Sequence, residues 1–127
     1  PVLRLVDFFD VVADELATNA APGCFFTNSL SGDVLADPEL AAFIETNLDG
    51  FLSVFQGLIL SGQSDGSIRS RESSVALARL LLTYLQGVHR MSVHRYDSVA
   101  QHTQSRLFIA GVLDCDVESL EARVCSV

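Results

Sequence analysis

The stretch RESSVALARLLLTYLQGVHRMSVH, residues 71–94, decides the fold. Turned by about 100° per residue, it gathers Glu72, Arg79, Thr83, Gln86, Arg90 and His94 into a narrow polar stripe. Val75, Leu77, Leu80, Leu81, Leu82, Tyr84, Leu85, Val88 and Met91 remain on an apolar arc of about 240°. One neighbouring helix cannot cover such an arc. The segment therefore predicts an all-α domain in which this helix packs on several sides, one of them a second copy of the chain.

Working outward, helical periodicity continues in both directions and strand-like alternation is nearly absent, giving five helical segments. Upstream lies a polar, glycine-containing turn from Ser61 to Ser70. Before it, Asp37-Pro38-Glu39 combines an N-cap carboxylate, a proline at the first helical position and an acid in the first turn. The helix it starts is expected to end near Leu60. The chain opens inside another amphipathic helix, residues 2–18, with Val2, Leu5, Val6, Phe8, Phe9, Val12, Ala13 and Leu16 on one face. Arg4, Asp7, Asp10, Asp14 and Glu15 occupy the other face. After a loop containing Pro22 and Gly23, a short helix is expected over about residues 24–34. Downstream, Asp97 or Ser98 caps a fifth helix to about Leu113, with a seam of Ala100, Thr103, Leu107, Ala110 and Gly111. Residues 1–113 thus form one domain and 114–127 a tail to which no function is assigned.

Composition narrows the function classes. The 127 residues are 49% hydrophobic and 19% charged, and sixteen acids face eight basic residues, every one an arginine, for a net charge of −8. That balance repels both a phosphate backbone and an anionic membrane surface. No apolar run reaches the ~18 residues of a membrane span, and the first residues lack a signal-peptide layout, so a cytoplasmic, membrane-free protein is expected. Three cysteines, 24, 115 and 125, show neither a CxxC pair nor a disulfide framework. Because Pro1 stands within a helical pattern that has no cap before it, a missing amino-terminal part is expected.

Four blocks then carry a resemblance. Gly23-Cys24-Phe25-Phe26-Thr27-Asn28, Asp37-Pro38-Glu39-Leu40-Ala41, Gln63-Ser64-Asp65-Gly66-Ser67-Ile68-Arg69, and Ala78-Arg79-Leu80-Leu81 followed by Leu85-Gln86-Gly87 occur in this order and spacing. Together they resemble the carboxy-terminal regulatory domain of TetR-family transcriptional repressors, over about Pro1 to Leu113. The resemblance implies a five-helix domain that dimerises through its last two helices and binds a small-molecule effector. DNA would be contacted only through the family's helix-turn-helix domain, which this chain lacks. It also implies that the short second helix, whose Cys24, Asn28 and Ser31 share a face, lies at the mouth of the ligand cavity.

The residues themselves nominate a site. Asn47 falls inside the apolar arc of the third helix, among Leu40, Val54 and Leu58, and His89 inside that of the fourth, between Ala78 and Leu82. With Phe8, Phe9, Val12, Cys24, Asn28, Phe51, Phe55 and Tyr84 they give the aromatic-plus-few-polar composition of a pocket for a largely apolar ligand. Val75, Leu82, Ala100, Leu107 and Gly111 are expected at the dimer contact. Catalytic readings fail. Gly62-Gln63-Ser64-Asp65-Gly66 matches a hydrolase nucleophile pattern but follows a helical segment instead of a strand. Asp114, Asp116 and Glu118 imitate a calcium loop, yet Ser119 and Cys125 occupy its glycine and glutamate positions. His89 and His94 point ~140° apart, His94 and His102 read as solvated, and no metal, cofactor or enzyme activity is expected. The competing reading is a helical homodimerisation module with a solid core and no ligand.

Overall fold

The computed structural model describes residues 1–18, 37–92 and 97–117; the expected second helix, with Cys24, Asn28 and Ser31, lies outside them, as do His94 and Cys125. The described residues are all-helical: α1 (Val2–Thr18), α2 (Pro38–Asp65), α3 (Ser74–Met91) and α4 (Ser98–Leu113). Packing is pairwise, α1 on α4 and α2 on α3, with α1 also crossing α2 while α3 and α4 touch over a smaller area. None of these helices is long and apolar enough to cross a membrane.

The core follows from the periodicity. Leu5, Val6, Phe9, Val12, Ala13 and Leu16 of α1 are buried against Phe55 and Ile59 of α2, Leu77, Ala78, Leu81, Leu85 and Val88 of α3, and Ile109 and Leu113 of α4. Val2 and Phe8, on the expected apolar face, pack at its edge. Asp37 caps α2 as expected, its carboxylate accepting from the Glu39 amide at 3.0 Å.

The end of α2 and the start of α3 differ from expectation, for one reason. α2 runs a full turn past Leu60 to Asp65 and stops only at Gly66, whose φ of 86° suits a residue without Cβ. The chain then folds back, so that Ile68 is buried and its amide donates to the Gly62 carbonyl at 2.9 Å. The Gln63 amide group donates to the carbonyls of Ser70 (3.0 Å) and Glu72 (2.9 Å), holding those residues in the turn. Arg71 and Glu72 consequently precede α3, which starts after its N-cap Ser73 and ends at Met91. The serine of the hydrolase-like pattern is an exposed residue in the last turn of α2.

Gly62 is where the fold-back demands a missing side chain. An added Cβ would collide with Ile68 Cδ1 and sit 2.6 Å from its Cγ1, whereas at Gly50 and Gly57, also within α2, it would meet nothing within 4 Å. Gly57→Ala should therefore stabilise the chain by about 0.5–1 kcal/mol, the ordinary helix-propensity gain. Gly62→Ala should lose about 1–2 kcal/mol net despite the same gain, because a buried β-branched side chain must be displaced. Urea titration of the two variants checks the difference in sign.

α4 corrects the sequence reading most. The small-residue seam faces outward, the side on which a dimer contact is expected: Ala100, Thr103, Leu107 and Gly111 are exposed and Ala110 is half-buried. Inward, Gln101, His102, Ser105 and Arg106 are buried beside Ile109 and Leu113. His102, read as solvated, is enclosed because the acidic face of α1, read as solvent-facing, packs on it.

Past α4, Asp114 caps the helix in the left-handed region (φ 50°), and its carbonyl accepts from the Arg69 amide at 3.0 Å. The Arg69 guanidinium reaches both Asp114 and Asp116 at 3.4 Å, so these two acids of the calcium-like run already hold a cation. Cys115 is buried and Val117 packs on the core, so residues 114–117 lie against the body. Burial pushes the Cys115 thiol up, out of the range of a ready nucleophile.

Candidate functional site

Six of the ten nominated ligand residues meet in the core between α1, α2 and α3. Phe8 makes edge-on contacts with Phe9 (5.3 Å between ring centres), Phe55 (5.4 Å) and Phe51 (6.2 Å). Phe9 stacks on Phe55 at 6.1 Å and touches Tyr84 at 5.4 Å. Val12, one turn beyond Phe8 and Phe9 on the same side of α1, belongs to the same core. Such ring pairs add about 0.5–1.5 kcal/mol each beyond their buried area.

Tyr84 is the point at which this aromatic group meets α4. Its ring stacks on Phe108 at 4.2 Å with an interplanar angle of 11°. The hydroxyl accepts from Gln101 Nε2 at 2.8 Å, lies 3.0 Å from Ser105 Oγ, and donates to Gln104 Oε1 at 3.3 Å. Burial pushes the Tyr84 phenol up, against the opposing effect of the hydrogen bonds from Ser105 and Gln101. The side chain is therefore a fixed neutral phenol that ties α3 to α4.

The two polar outliers satisfy themselves within their own helices. Asn47 Nδ2 donates to the Phe43 carbonyl at 2.9 Å, and His89 Nδ1 donates to the Leu85 carbonyl at 2.9 Å. Asn47 keeps its side-chain oxygen and His89 its Nε2 for other partners. Cys24 and Asn28 complete the nominated set outside the described residues.

Between α1 and α4 lies a polar cluster that the sequence reading missed. Arg106 grips both oxygens of Asp10, Nη1 to Oδ1 at 2.7 Å and Nη2 to Oδ2 at 2.9 Å. His102 reaches Asp10 Oδ1 with Nδ1 (2.7 Å) and Asp14 Oδ1 with Nε2 (2.8 Å). The side chains of Arg106 and Asp10 are 8% and 16% exposed, so this is a shielded ion pair and not a surface one. Burial alone would raise the Asp10 carboxyl, but hydrogen bonds and charge from Arg106 and His102 outweigh it and hold the group below the usual carboxylate range. Its signal in the sequence is two spacings of four: Asp10 with Asp14, and His102 with Arg106, each pair on one helix face with opposite charge. Among the described residues no three His, Cys, Asp or Glu side chains converge as a metal site would require.

The third surface is the outward side of α4. Leu107 is 71% exposed, with Ala100, Thr103 and Gly111 around it and Val99 on the flank. Across the Tyr84–Phe108 stack, Leu80 and Met91 of α3 are exposed as well, and Gly87 and Gly111 both have open space where a Cβ would stand. Of the five residues nominated for a dimer contact, Val75, Ala100, Leu107 and Gly111 are exposed, while Leu82 is half-buried against the core. Comparison with known proteins returned no matching family model, no matching curated protein and no matching solved structure.

Proposed function

We propose that the chain is the effector-binding and dimerisation domain of a TetR-like transcriptional regulator, a repressor whose DNA contacts belong to a helix-turn-helix domain outside these residues. The observation that carries this reading is the inverted character of α4. A helix that buries Gln101, His102, Ser105 and Arg106 while leaving Val99, Ala100 and Leu107 outside is built for a partner on its outer side. A second copy presenting the same α3–α4 face supplies an apolar, self-complementary partner without juxtaposing large charges. An obligate contact of this kind buries on the order of 2,000 Å² in total.

The effector half of the reading rests on the aromatic group around Phe8, Phe9, Phe51, Phe55 and Tyr84. A partly apolar aromatic or acyl compound suits it better than a sugar or nucleotide, with Asn47 and His89 as the polar groups that orient the ligand. Such a ligand acts by population shift: it favours the helix spacing that it fits better, to the extent of its differential affinity for the two states. A solid-core dimerisation module is the second reading, and the mutual contacts of the rings favour it.

Two measurements separate these possibilities. Leu107→Glu should turn a homodimer at micromolar concentration into a monomer in sedimentation, since it sets like charges face to face in an apolar contact; a wild-type monomer would sink the dimer. A thermal-shift screen against apolar metabolites should find a stabilising compound whose binding Asn47→Leu weakens by ~1–3 kcal/mol. No hit, with the dimer intact, leaves the solid-core module. Neither form of this acidic chain should bind duplex DNA at physiological salt.

A further inference from the structure

Tyr84 belongs both to the aromatic core and to the outward α3–α4 face. Its ring meets Phe9 of α1 at 5.4 Å between centres and lies flat on Phe108 of α4 at 4.2 Å. Its hydroxyl joins Gln101 (2.8 Å), Ser105 (3.0 Å) and Gln104 (3.3 Å), all on α4. Phe9 is 2% exposed and out of reach of a second copy. Leu80, Gly87 and Met91, at helical spacings of three and four from one another or from Tyr84, are exposed, as are Gln104, Leu107 and Gly111 around Phe108. We propose that Tyr84 is a strut that couples the packing of the aromatic core to the affinity of the α3–α4 face for a second copy.

The ring has little freedom to absorb a push. A close-packed interior passes a displacement on to its neighbours, and here the neighbours are Phe9 on α1 and Phe108 on α4. Elsewhere α3 and α4 touch over a small area, so their spacing depends on this stack and on the hydroxyl. Gln101 and Ser105 are buried and would each lose a partner if Tyr84 moved alone, so α4 follows the ring. A shift at Phe9 therefore moves Leu107 and Gly111 relative to Leu80 and Met91. A second copy seated across both helices responds to that spacing, and by linkage it tightens the core in return. Ile109 and Leu113 tie the inner side of α4 to the same core and are the competing route, one that does not need Tyr84. The strut rests on the dimer reading above.

Sedimentation of the whole chain, under conditions where each variant is folded by circular dichroism, gives the dimer Kd for the wild type, Phe9→Leu, Tyr84→Leu and the double variant. Phe9→Leu should weaken the dimer about tenfold, although residue 9 cannot touch the partner, and in the Tyr84→Leu background it should change the Kd by less than about twofold. Tyr84→Phe, which keeps the ring, should retain the response. Amide NMR should agree, with Phe9→Leu shifting the Gln104 and Leu107 signals except where Tyr84 is Leu. If Tyr84→Leu does not fold or dimerise, Phe108→Leu, which removes the other ring of the stack, serves as the background with the same expectation. Equal weakening in both backgrounds assigns the coupling to Ile109 and Leu113, and no weakening in either shows an outer face indifferent to the core. Each overturns the strut while the dimer stands. A monomeric wild type overturns the dimer reading and the strut with it.

Discussion

Asp10→Ala should lower the free energy of unfolding by about 3–5 kcal/mol in urea, the largest single loss expected at any charged residue of this chain. The reason lies less in the lost attraction than in what remains. Arg106, 8% exposed, would lose both oxygens of its bidentate carboxylate while its guanidinium stays shielded from water. Removing both partners, as in Asp10→Leu with Arg106→Met, should recover most of the loss, since an apolar pair of similar volume fills the same space. Arg69→Ala gives the contrast: its bonds to Asp114 and Asp116 are long and exposed, and screening by water leaves little to lose. A small loss for Asp10→Ala would mean that water reaches Arg106 readily.

The same pair makes stability depend on acid in a definite direction. Asp10 is held below its unfolded value, so its stabilising contribution is fully present above about pH 4 and is lost as pH falls through the lower, folded value. The wild type should lose this component below about pH 4, and Asp10→Asn should lack it while remaining sensitive to the other carboxylates.

How far these features are legible without coordinates depends on which physical force sets them. Apolar periodicity reads well on α1 and α3 because burial is nearly non-directional: Leu5, Phe9, Leu81 and Leu85 lie on apolar arcs by spacing alone, and they are core in the structure. Local capping reads well too, at Asp37 and Asp97, since donor and acceptor lie within three residues. What failed was the assumption that a polar residue faces water. On α4 His102 and Arg106 face inward because α1 offers carboxylates more than 85 positions away in the chain, and Gln101 and Ser105 because the Tyr84 hydroxyl of α3 meets them. Helical projection carries no information about those distant partners, so it places His102 in solvent, where the structure buries it. The end of α2 was misplaced for a related reason. Ser61, Gly62 and Ser64 look like turn residues, but Gly62 serves the fold-back of Ile68, a contact six residues on that propensity does not register.

Phe55→Ala should cost about 3–5 kcal/mol of stability, and it distinguishes the two readings of the aromatic group. Phe55 is buried to within 1% and its ring meets those of Phe8, Phe9 and Phe51, so truncation removes contacts to three neighbours at once. If the group is a solid core, the new void is closed to solvent and dry, and a small aromatic such as benzene should bind there and restore part of the lost stability, binding only the variant. If the group is the wall of an effector site, the wild type already accepts apolar compounds, and Phe55→Ala should shift its preference toward bulkier ones by roughly the volume of a ring. Titration of both proteins with benzene and with a bulkier bicyclic aromatic, read by thermal shift, separates the cases. Compounds stabilising the variant alone support the module without a ligand; compounds stabilising the wild type, with a change of size preference in the variant, support the effector domain.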